Sequence, residues 1–274
     1  MAGPKITVGN VEIISLVDMV MEIPWQIFFP QQGESDFEAY HDLYPGCFGE
    51  GRFRTNAGCY AIRSQGQTIL CDTGMGPGPI EFLGGLRGNL LDDMREKGIP
   101  PEDVDTVFFT HLHGDHVGWN LSSDGTPNFS KARHLVPQAD WDYFGTMLET
   151  NQQMQQVIPL EALGLMELVS GEKALTSEVT TYPTPGHTPG HTSLLISSNG
   201  ERAIVTGDLA HHPAQVDRTD WCSSFDTNAA ETSATRREVF DRMEADGLTA
   251  AFCHFPDPFG KLVRAEGKRI FQAL

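Results

Sequence analysis

A chain of 274 residues, 39% hydrophobic and 20% charged, has the composition of a soluble globular protein and is long enough to bury a large core. Its 19 Lys and Arg against 37 Asp and Glu leave a net charge of −18, which repels phosphate backbones and disfavours a nucleic-acid partner. No apolar run approaches the roughly 20 residues needed to span a bilayer, no signal-peptide layout opens the chain, and the five scattered cysteines contain no C-x-x-C, so a cytoplasmic protein with reduced thiols and no membrane partner is expected.

Residues 5–17 are rich in Ile, Val and Leu around a Gly9-Asn10 turn, which predicts a hairpin. Residues 19–55 lack a period but collect Trp25, Phe28, Phe29, Phe37, Tyr40, Tyr44, Phe48 and Phe53 among prolines and glycines. A segment that long and that aromatic is either a flap or insertion, walling a substrate pocket or meeting a second copy in a homodimer, or a local satellite core. Strands are predicted at 59–63 and 68–71, and the second runs into Asp72-Thr73-Gly74. Asp72 there either caps the loop or braces a metal-binding histidine. A helix is expected over 86–97, stopped by Gly98.

The apolar residues at 104–109 read as a buried strand, and Thr110-His111-Leu112-His113-Gly114-Asp115-His116-Val117-Gly118-Trp119 follows it. In extended chain His111 and His113 face the same side and reach one metal, whereas Asp115 and His116, past the glycine, reach a second. Imidazole and carboxylate suit zinc or a similar divalent ion. A further strand at 133–136 leads into a helix opened by Pro137, and 149–168 reads as helix in pieces, broken at Pro159 and Gly164. His134, alone in its strand, is read as structural.

Thr184-Pro185-Gly186-His187-Thr188-Pro189-Gly190-His191 lies between strands at 178–182 and 194–197, and its prolines and glycines hold the histidines in a tight loop. Ala203-Ile204-Val205-Thr206-Gly207-Asp208 is a strand ending in a carboxylate. Ala250-Ala251-Phe252-Cys253-His254, after a helix at 232–245, is a strand ending in an imidazole. On that strand Cys253 and His254 point to opposite faces, which makes Cys253 a core residue. Every candidate ligand thus sits at a strand's exit, and strand exits converge on one rim of a layered α/β fold.

H-x-H-x-D-H, then T-P-G-H-T-P-G-H, then G-D, then a late histidine resembles the metallo-β-lactamase superfamily over nearly the whole chain. The resemblance implies one domain over residues 1–274, an αββα sandwich of two mixed β-sheets flanked by helices, with the aromatic insertion at about 19–55. It implies that His111, His113 and His187 bind a first metal, that Asp115, His116 and His254 bind a second, and that Asp208 bridges them. Two divalent ions are implied, zinc first, with Mn, Fe or Co as alternatives. Asp72 and His191 would order the site.

The arrangement of motifs is most similar to the N-acyl homoserine lactonases and to the branch around methyl parathion hydrolase. That implies a hydroxide bridging the metals, which attacks a lactone or other carboxylic ester, with Asp115 or Asp208 passing a proton to the leaving alkoxide. A phosphotriesterase-like organophosphate hydrolase is the alternative, and a mononuclear-iron oxygenase on the same fold a further one. Many lactonases carry a tyrosine three residues after the bridging aspartate, where this chain has His211. His211 or its neighbour His212 would then donate a hydrogen bond to the substrate, the alternative being loop histidines that face solvent. Trp25, Phe28, Phe29, Phe48 and Trp119 complete the expected substrate pocket, and packing against the helix is the competing reading for Trp119.

Overall fold

Alternation of apolar side chains along a strand gives it two buried faces, and this chain uses both. The computed structural model describes residues 3–49, 52–146 and 151–274. The N-terminal half holds, in chain order, β1 (Lys5–Val8), β2 (Val11–Ile23), α1 (Trp25–Phe28), α2 (Glu34–His41), β3 (Phe48–Gly49) and β4 (Arg52–Ser64). Then come β5 (Gln67–Cys71), α3 (Leu90–Glu96), β6 (Thr106–Phe108), α4 (Gly114–Val117), β7 (Arg133–Pro137), α5 (Gln138–Gly145), α6 (Ile158–Ala162) and β8 (Met166–Val169). The rest of the chain forms β9 (Val179–Pro183), β10 (Thr192–Ser198), β11 (Glu201–Val205), α7 (Ala229–Asp246), β12 (Thr249–Ala251), β13 (Phe259–Ala265) and β14 (Lys268–Ala273).

Among the described residues the strands form two mixed sheets, ordered β1-β2-β4-β5-β6-β7-β8 with β3 beside β4, and β14-β13-β12-β11-β10-β9. Ile13, Tyr60, Ile62, Ile69 and Phe108 of the first meet Val179, Leu194, Ile196 and Val205 of the second between the sheets. Their sequence neighbours Ile14, Cys59, Ala61, Leu70 and Val107 face outward against Leu90 and Met94 of α3, Val117 of α4 and Leu160 of α6. On the far side, Ile204 and Ala250 pack against Val239, Phe240 and Met243 of α7. The expected αββα sandwich is therefore the observed one.

Several elements differ from the sequence reading. β2 runs on to Ile23, because its partner β4 is equally long and pairs with it to the end. The helix expected from residue 86 starts at Leu90, since Leu86 is drawn back into a bridge with Ile80. Part of the stretch read as broken helix becomes strand β8, which β7 templates in parallel; residues 149–150 of that stretch lie outside the described residues. The segment at 19–55, apart from residues 50–51, which are not described, buries Phe28, Phe29, Phe37, Tyr40 and Phe53 with Met19, Met21 and Trp221 as a satellite core. His134 is fully buried in β7, stacked on Phe109.

Candidate metal centre

β5, β6, β9, β11 and β12 end close together, and the loops that leave them carry the candidate donors. His111 follows β6, Asp115 and His116 ride on α4, His187 follows β9, Asp208 follows β11 and His254 follows β12. The structure brings all seven predicted donors into two groups: His111, His113, His187 and Asp208, and Asp115, His116, Asp208 and His254. Within each group the donor atoms lie within 4.8 Å of one another, and Asp208 belongs to both.

The distances test whether cations fit. Four ligands at 2.0–2.1 Å around a tetrahedral zinc stand about 3.3 Å apart. His111 Nε2 is 3.1 Å from His113 Nδ1, which is 2.9 Å from His187 Nε2, and Asp208 Oδ2 is 3.3 Å from His187 Nε2 and 3.6 Å from His111 Nε2. In the second group His116 Nε2 lies 3.2 Å from Asp208 Oδ1 and 3.7 Å from Asp115 Oδ2, and His254 Nε2 lies 3.1 Å from Asp208 Oδ2 and 3.8 Å from Asp115 Oδ2. The buried His116 Nε2 makes no hydrogen bond. Both groups fit a divalent ion.

The outward nitrogens set the tautomers. His116 Nδ1 donates to Asp72 Oδ2 at 2.9 Å, His187 Nδ1 to Asp226 Oδ1 at 2.8 Å and His254 Nδ1 to the Asn56 carbonyl at 2.7 Å. Each bond leaves an Nε2 lone pair aimed inward. Asp72 also accepts from the Thr110 amide and hydroxyl, both at 2.8 Å, and so braces the loop that carries His111. His191 accepts the Asp208 amide at 2.9 Å through Nε2, and its Nδ1 is fixed by the Thr184 carbonyl. Asp72 thus contacts both a donor ring and the loop before it, and His191 holds the backbone of Asp208.

Electrostatics follow from burial and crowding. Burial drives His113 and His191 down to about 3, so both are neutral acceptors at neutral pH. Burial also opposes charge on His187, but hydrogen bonds and Coulomb attraction from Asp208 and Asp226 outweigh it and hold the ring up to about 9, so without a cation Nε2 keeps a proton, and a bound metal would displace it to use the lone pair. For Asp208 burial again opposes ionisation, and the surrounding imidazoles, His116 first, hold the carboxyl well below its usual range.

Four of the donors, His113, Asp115, Asp208 and His254, form with His211 the polar floor of a cavity of about 540 Å³ whose other walls include Met21, Ile23, Ile27, Phe28, Met75 and Phe225. His211 is buried, stacked on His254 at 5.0 Å, with Nε2 3.3 Å from Asp208 Oδ2; burial lowers its pKa to about 4. The reading of His211 and His212 as solvent-facing is overturned, since both are buried.

Of the expected pocket aromatics only Phe28 reaches this cavity. Trp25 and Phe48 line a separate recess of about 100 Å³. Phe29 and His212 are wholly buried: Phe29 packs on Phe37 and Phe53, and His212 is enclosed by Phe37, Phe48 and Phe53, so neither has a face left for a ligand. Trp119 turns away because its Nε1 donates to buried Asp18 at 2.7 Å. Cys253 is buried in the core between the sheets, as expected, but strand alternation does not separate it from His254. β12 stops at Ala251, and the Cys253 thiol reaches Asp208 Oδ1 at 3.1 Å while His254 reaches Oδ2.

Asp226, whose Oδ1 accepts from His187 Nδ1, is a contact of the site that sequence reasoning missed. Its placement depends on Thr227 and Asn228, whose amides bond the carbonyls of His187 and Gly186. Asn228 caps α7 by accepting the Glu231 amide, and that signal is legible in the sequence, but it marks the helix start and not the carboxylate before it.

Residues 54–254 match the model of the metallo-beta-lactamase superfamily. An N-acyl homoserine lactonase of Bacillus sp is 26% identical over 195 residues, covering 65% of this chain and 73% of that protein. The structure described as hydrolase AbOPH in the beta lactamase superfamily superposes with a TM-score of 0.87 at 24% identity, covering 100% of this chain and 98% of that one. AidC, a dizinc quorum-quenching lactonase in complex with a product, superposes with a TM-score of 0.84 at 22% identity, covering 99% and 97%. At these identities the two structures speak to the fold.

Proposed function

The chain belongs to the metallo-β-lactamase superfamily, and on that premise we propose that it is a metal-dependent hydrolase of lactones or other carboxylic esters. The observation that carries the reading is the pair of four-donor groups sharing Asp208 at the floor of an apolar cavity. His111, His113, His187 and Asp208 would hold one divalent ion, and Asp115, His116, His254 and Asp208 the other. Zinc suits this set of imidazoles and carboxylates, and Mn, Fe or Co are accepted by the same donors. When bound, two such ions supply a water made nucleophilic at neutral pH and polarisation of the substrate carbonyl.

The chain's own residues do the rest. The apolar wall receives the uncharged part of the substrate and excludes bulk water. His211, neutral at neutral pH and bordering the cavity, donates a hydrogen bond to the substrate oxygen as charge grows on it. The Asp115 side chain, 21% exposed against 3% for Asp208, is the better placed of the two to hand a proton to the leaving alkoxide. Asp72, Asp226 and the Asn56 carbonyl keep three imidazoles from rotating. On this reading residues 1–274 act as one catalytic unit, with segment 19–55 supplying part of the pocket wall through Ile23, Ile27 and Phe28.

No helix among the described residues is long and apolar enough to cross a membrane. Zinc-loaded protein should be assayed on γ- and δ-lactones, aryl esters and paraoxon-type phosphotriesters, with and without chelator. Chelator-sensitive turnover of lactones or esters above triesters supports the proposal. Turnover of triesters alone supports the organophosphate hydrolase instead. If neither class reacts above buffer, both readings fail, and one bound iron with oxygen uptake would mark the oxygenase.

A further inference from the structure

We propose that Asp18 is a positioning residue that clasps residues 76–88 into a loop whose apolar tip selects substrates by their hydrocarbon portion. The inference rests on the hydrolase reading above and adds a determinant of specificity on the side of the cavity away from the candidate metal donors.

Asp18 sits at an irregularity in the β2–β4 pairing, between Val17 and Met19, and is 2% exposed. Its Oδ2 accepts the amides of Met75 at 2.7 Å and Gly76 at 3.3 Å, and its Oδ1 accepts those of Asn89 at 2.8 Å and Leu90 at 2.9 Å. One carboxylate therefore holds both ends of the intervening loop. Trp119 Nε1 adds a donor to Oδ1 and ties the clasp to the segment just after the candidate ligands Asp115 and His116. Four backbone amides and the Trp119 indole donate to the buried carboxylate and so offset the cost of burying it.

The fit leaves no slack. A Cβ on Gly74 would lie 2.6 Å from the Asp18 carboxyl carbon, and one on Gly88 would lie 2.5 Å from its Oδ1. Inside the loop Ile80 and Leu86 bridge, and a short turn of 3-10 helix at Glu81–Leu83 carries the tip. A compact surface loop with its ends pinned together is a common carrier of function. Met75, Pro77, Phe82 and Leu83 all line the cavity that the candidate donors border, yet Phe82 is 80% exposed. An aromatic ring that borders a cavity and is left in water has burial to gain only when something apolar fills the cavity.

The test compares wild type, Asp18→Asn and Phe82→Ser. Asn keeps the size but offers one acceptor and an NH₂ group, so two backbone amides at one end of the loop then face donors. Aryl esters with acyl chains from acetyl to decanoyl report selection. Trypsin cleavage after the exposed Arg87 reports the loop itself. In both variants the decanoyl-to-acetyl ratio of kcat/KM should fall by about tenfold, with metal content held at the wild-type value. Cleavage at Arg87 should accelerate in Asp18→Asn and not in Phe82→Ser. Decanoate, as a non-reacting probe, should slow cleavage of wild type and not of Phe82→Ser.

An unchanged chain-length ratio in Phe82→Ser, which alters only an exposed tip and leaves the core intact, overturns the selection. Unchanged cleavage in a folded Asp18→Asn overturns the clasp. If wild type hydrolyses no ester, the hydrolase reading fails by itself, and trypsin with decanoate still decides both parts of this proposal.

Discussion

The floor of the cavity and its aromatic flank both bury histidines, and they treat them in opposite ways. On the floor the outward nitrogens of His111, His116, His187 and His254 have a hydroxyl, carboxylate or carbonyl partner, and the inward nitrogens of His111, His113 and His187 crowd to within 2.9 and 3.1 Å of one another. In the flank His212 lies among Phe37, Phe48 and Phe53, where its Nδ1 accepts the Ala214 amide and its Nε2 is unpaired. Five ring lone pairs aimed at two points make sense only if cations compensate their crowding. One imidazole boxed in by rings serves the fold, as a helix cap within an apolar cluster. Burial alone does not make a histidine a ligand, and the partner of its second nitrogen distinguishes the two uses.

The comparison can be broken most forcefully on the floor. His116→Ala should reduce bound metal from two toward one per chain and cut kcat by more than about 100-fold; elemental analysis beside steady-state kinetics checks both. Full metal content at wild-type rate would remove His116 from the centre. His211→Ala should lower kcat by about 100-fold while leaving metal content intact, as expected for a lost hydrogen bond to developing charge. Loss of metal with loss of rate would instead make His211 a ligand.

A smaller effect is expected one layer out. Asp226→Asn keeps an acceptor for His187 Nδ1 but removes the charge facing the buried Arg236, 3.8 Å away. Metal affinity should fall by about tenfold, read by competition with a chelating dye. In the flank the effect is one of pH. Burial lowers the folded-state pKa of His212 to about 3 from an ordinary 6.5. The unfolded chain therefore takes up this proton first, and the stability held above about pH 6.5 is lost as pH falls toward 3, with a slope of about 1.4 kcal/mol per pH unit for the one group. His212→Asn retains a cap for Ala214 and should flatten that slope in denaturant melts of metal-free protein, while leaving stability at pH 8 less affected. A parallel slope in the variant would show that other groups set the acid limit.

The floor was legible in the sequence because its chemistry is carried by short segments at the ends of strands. Residue type and spacing within His111–His116 restrict the backbone enough to say which side chains face together, and the loop around His187 is fixed by its own prolines and glycines. The contact of Asp72 with a donor histidine was legible from its place at the exit of a strand beside that motif, whereas His191 was set apart from His187 only by the resemblance. Asp226 was not, since it meets His187 only after the chain has crossed from β11 to the start of α7. Cys253 is a core residue as expected, but its contact with Asp208 was not legible, because alternation was carried past the point where β12 ends.

The amino-acid order by itself determined a layered α/β fold and the convergence of candidate donors at strand ends, because period-two burial and local turn chemistry act within a few residues; the two-sheet sandwich and the grouping of the donors came from the resemblance of the motifs to a known family. The tertiary structure alone decided which aromatic residues face the cavity, which are spent on the satellite core, and that Asp18 holds a loop from both ends. Those outcomes turn on contacts between segments far apart in the chain. Apolar packing that drives them is non-directional, so it leaves no spacing in the sequence to read.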